Sequence, residues 1–134
     1  PISYHVSGTY NKEANLSVSV GSTTYPDITD CKVSIKRSSD DTVELTLKGL
    51  SNLNSSQTGR AMNLGDFTVT DVKVTSTDNS IFKIEGSINT TDTNNTPITG
   101  TLSGTVSNSE TNITFTFKPG AMPIDITAMF KGKK

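Results

Sequence analysis

Ile98-Thr99-Gly100-Thr101-Leu102-Ser103-Gly104-Thr105-Val106, followed by Ile113-Thr114-Phe115-Thr116-Phe117, decides the fold. Apolar residues and glycines take every second position, and polar residues, mostly hydroxyl-bearing, fill the places between. A strand sends successive side chains to opposite faces, so runs of this kind are half-buried strands. Glycines share the apolar parity here at Gly100 and Gly104, and again at Gly8 and Gly86. One economical explanation covers all four: a closed sheet must bend sharply in places, and glycine relieves inward crowding there.

The same alternation extends outward in both directions. Downstream, Ile124, Ile126, Ala128 and Phe130 form a last strand. Upstream, Phe82, Ile84, Gly86 and Ile88 form another, separated from Ile98 by the turn formers of residues 90–97. Phe67 and Val69 are odd-numbered whereas Val72 and Val74 are even, so one extra residue, a β-bulge, is expected near Thr70–Asp71. Cys31, Val33 and Ile35 run to the Ser38–Asp41 turn, and Val43, Leu45 and Leu47 return from it. Tyr4, Val6, Gly8 and Tyr10, then Leu16, Val18 and Val20, read as a hairpin turning through Asn11–Asn15. Residues 51–63 show no period and read as a connection or a lid. The expectation is an all-β fold: one antiparallel up-and-down β-barrel of about eight strands, spanning residues 1–134 as a single domain. It has no significant helix, and its edges are removed by pairing the last strand with the first. A two-sheet sandwich is the structural alternative.

Hydrophobic residues make up only 31% of the 134, but their placement on one parity lets nearly all of them face one side of a sheet. Twelve basic and thirteen acidic residues leave a net charge of −1, which excludes an electrostatic footprint for nucleic acid. No run approaches the ~18 apolar residues of a membrane-spanning helix. Cys31 is the only cysteine, so no intrachain disulfide forms, and its parity with Val33 and Ile35 marks it as a small core residue. The chain begins at Pro1 rather than Met, which reads as a processed product from which a signal peptide or lipoprotein anchor has been removed. The expected location is therefore exported: periplasmic, cell-surface or secreted. The oligomeric state is left open.

Nucleophilic catalysis needs a base beside the nucleophile. The single histidine, His5, lies opposite in parity to Tyr4 and Val6 and faces solvent on this reading. Asp40 and Asp41 are turn residues. Asp27 and Asp30 offer oxygens but lie outside any EF-hand pattern. No Cys/His cluster suits zinc and no glycine-rich loop precedes a helix. The expectation is a non-enzymatic protein with no catalytic residues, no metal and no cofactor.

Three segments have a familiar look: Gly8–Thr9–Tyr10 with the Leu16–Val20 strand, Leu64–Gly65–Asp66–Phe67–Thr68–Val69–Thr70–Asp71–Val72, and Lys118–Pro119–Gly120–Ala121–Met122–Pro123 leading to Phe130–Lys131–Gly132–Lys133. With the strand spacing, they make nearly the whole chain resemble the calycin-like β-barrel domain of exported proteins and lipoproteins of gut Bacteroidetes. The resemblance implies a lipocalin-like barrel, and it carries over no catalytic or ligand residues. Tyr10 stands where lipocalins place Trp after a Gly-x pair, and their helix after the barrel is lacking.

Two roles follow. In the first, the barrel mouth binds a small apolar ligand, with Tyr10, Phe67 and Phe115 inside and Arg60 and Met62 contributed by the 51–63 lid. In the second, a structural or adhesive module meets glycans or partner proteins through its Ser/Thr/Asn-rich surface. Its interior is then filled by Phe67, Phe82, Phe115, Phe117 and Phe130.

Overall fold

The computed structural model describes residues 1–55, 62–78 and 80–134. Its strands are β1 (Gly8–Tyr10), β2 (Lys12–Val20), β3 (Thr23–Thr24), β4 (Lys32–Arg37), β5 (Thr42–Lys48), β6 (Phe67–Ser76), β7 (Ile81–Thr91), β8 (Pro97–Ser107), β9 (Glu110–Pro119) and β10 (Ile126–Lys133). One sheet holds them in the order β1-β4-β5-β6-β7-β8-β9-β10-β2-β3. All pairings are antiparallel. The count is ten rather than about eight: the alternating runs account for nine, divided at Asn11 between β1 and β2, and the two-residue β3 is the tenth.

That division corrects the expected first hairpin. β1 and β2 do not pair with each other. β1 pairs with β4 (Tyr10 opposite Val33), and β2 pairs with β10 (Leu16 opposite Phe130). Between Lys131 and Lys133 of β10, the register skips from Asn15 to Lys12 of β2, and Glu13 sits at φ +49°. An extra residue in one strand bends it and raises its twist. The first stretch of chain thus turns a corner: β1 stands at one end of the sheet order, and β2 is next to last at the other, beside β3. The antiparallel strands curl into a half-barrel whose two ends come together at this corner. Lys134 fastens this join, donating from Nζ to the Ser7 carbonyl at 3.0 Å and from its backbone N–H to the Ser109 carbonyl at 2.9 Å. The free side of β2 is covered by the chain that follows, through Leu16 and Ile28 exchanging backbone hydrogen bonds of 2.8 and 2.9 Å.

The extended reading of residues 4–6 is also corrected, since Ser3–Val6 forms one α-helical turn (α1). Residues two apart in a helix lie on nearly opposite faces. Val6 is accordingly buried, while Tyr4 stays 62% exposed with the Arg37 guanidinium 4.6 Å from its ring centroid. The turn is held because Ser3 donates its backbone N–H to the Asp40 carbonyl and its hydroxyl to the Ser39 carbonyl. A second short helix, of the 3₁₀ type, spans Leu50–Ser55 and so runs into the stretch read as aperiodic, residues 51–63. With three residues per turn, i and i+3 share a face, and Leu50 and Leu53 are both buried. Ile124, read as a strand position, lies before β10 and is 51% exposed.

The expected bulge is present. Val43 pairs with Val72 and Leu45 with Val69, so two residues of β5 span three of β6, and Asp71 takes φ +57°. Val69 and Val72 therefore both point inward. Gly100 and Gly104 lie opposite Phe117 and Ile113 on β9 and opposite Ile88 and Ile84 on β7. A β-carbon on Gly100 would sit 2.6 Å from the Phe117 Cα, and one on Gly104 2.8 Å from the Ile113 Cα. Here the backbones of β8 and β9 approach too closely for any side chain.

Candidate functional site

The interior is built from cross-strand rows. Tyr10, Val33, Leu47 and Phe67 form one, each opposite the next on β1, β4, β5 and β6. Val18, Ala128, Phe115 and Leu102 form a second on β2, β10, β9 and β8. The two meet through Phe67, whose ring stands edge-on to Phe115 at 6.0 Å between centroids and to Phe117 at 5.4 Å. β6 and β9 are not neighbours in the sheet, so these contacts cross the inside. Phe82 and Phe130 are buried as well.

Of the residues read as ligand contacts, Phe67 and Phe115 are thus brought together, but as packing partners. Tyr10 is fully buried and donates its hydroxyl to the Val6 carbonyl at 2.7 Å. Burial pushes its phenol up to about 12. Met62 is half-buried against the core. Arg60 lies outside the described residues.

The reactive side chains are engaged in packing. His5 stacks on Phe82 at 5.0 Å and 10° between planes. The Cys31 thiol is buried, donates to the Ile28 carbonyl at 3.4 Å, and is pushed up to about 11 by desolvation and then by the Asp30 charge. Among the described residues, no three His, Cys, Asp or Glu side chains gather as a metal site.

The outer face carries concave regions. A groove of about 520 Å³ follows the seam between β6 and β7. The seam opens because the ladder between these strands covers only Lys73–Ser76 with Phe82–Glu85. They join again beyond the bulge, where Thr93 donates its N–H to the Asp66 carbonyl at 2.9 Å and accepts the Asp66 N–H on Oγ1 at 3.0 Å. Ser34, Thr46, Lys48, Asp66, Thr68 and Thr91 are among its lining residues. A second hollow of about 490 Å³, with Asn11, Asp30, Lys32 and Asn52, shares Lys48 and Asp66 with the first.

Asp92 holds the floor of this region. Its buried carboxylate accepts the N–H of Gly65 on Oδ2 at 2.9 Å, and those of Asn94 and Thr96 on Oδ1 at 2.8 and 2.9 Å. Asn94 adds a bond from Nδ2 to the Leu64 carbonyl at 3.0 Å. The segment entering β6 is thereby clamped to the β7–β8 turn, where a β-carbon at Gly65 would collide with the Thr93 hydroxyl oxygen. Asp66, next in the chain, is half-buried and accepts the Gly49 N–H on Oδ1 at 3.3 Å.

Reading by period missed these polar groups. Asp66 and Asp92 lie in segments already singled out, the Leu64–Val72 stretch and the 90–97 turn, but polar residues beside a strand carry no periodic signal.

A third hollow, of about 510 Å³, lies on the opposite outer wall around Met129, which is 55% exposed between Ser17 and Thr114.

A strongly bent antiparallel sheet wrapped on a core of its own inward side chains defines the barrel class of all-β proteins. The model of the calycin-like beta-barrel domain matches residues 6–133, and the chain belongs to that family. No curated protein matches it.

Proposed function

We propose that this chain is a non-enzymatic recognition module of an exported Bacteroidetes protein, acting in the periplasm, at the cell surface or after secretion. The barrel is a filled scaffold, and binding belongs to its outer, hydroxyl-rich face. The observation that carries this reading is the contact of Phe67 with both Phe115 and Phe117 across the interior. A ligand-holding barrel leaves its centre open, typically by about 300 Å³ or more. Here aromatic rings occupy that place. The three segments that resemble exported Bacteroidetes proteins support the location.

The test is titration of the purified protein with an apolar fluorescent probe and with long-chain fatty acids. The expected result is no saturable binding. Stoichiometric uptake, with protection of inward residues such as Leu102 and Phe115, would return the function to the barrel interior.

A further inference from the structure

The paired hollows at the β6–β7 seam have a chemistry that selects among ligands. Two cations, Lys32 and Lys48, and three carboxylates, Asp30, Asp66 and Asp92, are distributed over their combined lining. Asp92 is buried and spends its carboxylate on the N–H groups of Gly65, Asn94 and Thr96, so the charged groups left to face a ligand are two of each sign. An anion gains from the lysines but meets the carboxylates, and a cation meets the reverse, so neither sign of ligand is favoured. The rest of the lining is mostly hydroxyl and amide.

Several of these groups have unused hydrogen-bonding capacity. Thr46 and Thr68 share one hydrogen bond of 2.8 Å between their hydroxyls, which consumes one of their two protons and leaves the other to donate outward. Asp66 uses Oδ1 on the Gly49 N–H, while Oδ2 has no protein partner among the described residues. The exposed Lys48 ammonium has no ion-pair partner among the described residues, so its three donors are free. Threonine methyls and the Lys48 stem supply hydrocarbon between these polar points. Alternating donors and acceptors on a partly hydrocarbon floor match a molecule with hydroxyls around its rim and C–H groups on its face. At about 490–520 Å³ each, the hollows fall within the size range of small-molecule sites.

We propose that the β6–β7 seam is a binding site for a neutral oligosaccharide. Asp66 accepts from sugar hydroxyls, Lys48 and the Thr46–Thr68 pair donate to them, and the clamp at Asp92 and Gly65 fixes Asp66 in place. This inference rests on the outer-face reading above and adds to it a position and a ligand class.

The experiment is a two-dimensional amide NMR titration of the protein with maltotriose, cellotriose, xylotriose and N,N′-diacetylchitobiose. At least one is expected to shift the amides of Thr46, Lys48, Thr68, Thr91 and Thr93 as a group. Lys48→Ala, at an exposed position, and Asp66→Asn are each expected to weaken that binding roughly tenfold, the loss of one charge-assisted hydrogen bond. The unfolding midpoint of Lys48→Ala should match that of the parent, which keeps the result readable if Asp66→Asn folds poorly. Shifts confined to the Met129 hollow, or none with any of the four sugars, overturn the seam as the site while leaving recognition by the outer face standing. Shifts centred on Leu102, Phe115 and Phe117 overturn both.

Discussion

Phe67 of β6 stands edge-on to Phe115 of β9, their ring centroids 6.0 Å apart and their planes at 89°. Aromatic pairs prefer this geometry because the positive edge of one ring meets the negative face of the other. Two strands that never pair are thereby joined through the middle of the barrel, so the core works as one packed unit.

Removing that ring should be costly. Phe67→Ala is expected to lose about 3–5 kcal/mol, since the contacts to both Phe115 and Phe117 vanish and a cavity remains. Urea denaturation measures it. The cavity should also admit benzene, as dry apolar voids do, whereas the parent protein should not. A loss below about 1 kcal/mol would mean that the interior around Phe67 is loose.

The glycines separate by what faces them. Gly100→Ala and Gly104→Ala press a methyl against the backbone of β9, and each should cost about 1–3 kcal/mol. Gly86→Ala places its methyl at an ordinary 3.4 Å from Val72 and should be neutral, or stabilising by up to about 1 kcal/mol. Thermal unfolding of the three variants should rank them in that order. Equal effects at all three would show that strand entropy, not close approach, governs these positions.

Asp92 satisfies three backbone donors from the two segments it joins. Asp92→Ala strands them, for an expected loss of about 2–3 kcal/mol. Asp92→Asn keeps one acceptor oxygen and should lose less, roughly 1 kcal/mol. Amide hydrogen exchange should accelerate first at Gly65, Asn94 and Thr96. Unchanged protection at those amides would remove the clamp from this account.

Stability should decline on the alkaline side. Burial raises the Tyr10 phenol from 10.0 to about 12 and the Cys31 thiol from 9.0 to about 11. The unfolded chain therefore releases these protons first and binds fewer of them than the folded chain in that interval. Their contribution is whole below about pH 9 and is lost as pH rises through 11 and 12. Unfolding free energy measured from pH 8 to 12 should fall across this window. Tyr10→Phe should flatten the upper part of the fall, while losing about 1 kcal/mol at neutral pH with its bond to Val6. An unaltered slope in that variant would place the alkaline transition elsewhere.

The residues whose side chains line the core were legible from alternation alone. Val33, Leu45, Ile84, Leu102, Phe115 and Phe130 are all buried, and the change of parity between Val69 and Val72 located the bulge. Both are local facts: in a strand, the direction of a side chain depends on its count from its neighbours and on nothing further away. Partnership is another matter. That β1 joins β4 while β2 joins β10, and that Ser3–Val6 coils instead of extending, depends on groups distant in the chain, such as Asp40 receiving the Ser3 N–H. A filled or open interior is likewise a difference between the volume a closed sheet encloses and the volume its side chains need, and no periodicity encodes it. The seam beside Asp66 exists only where a bulged strand and its neighbour part and rejoin. Alternation assigned the inner face of this protein; long-range pairing decided what stands inside it and where its outer wall opens.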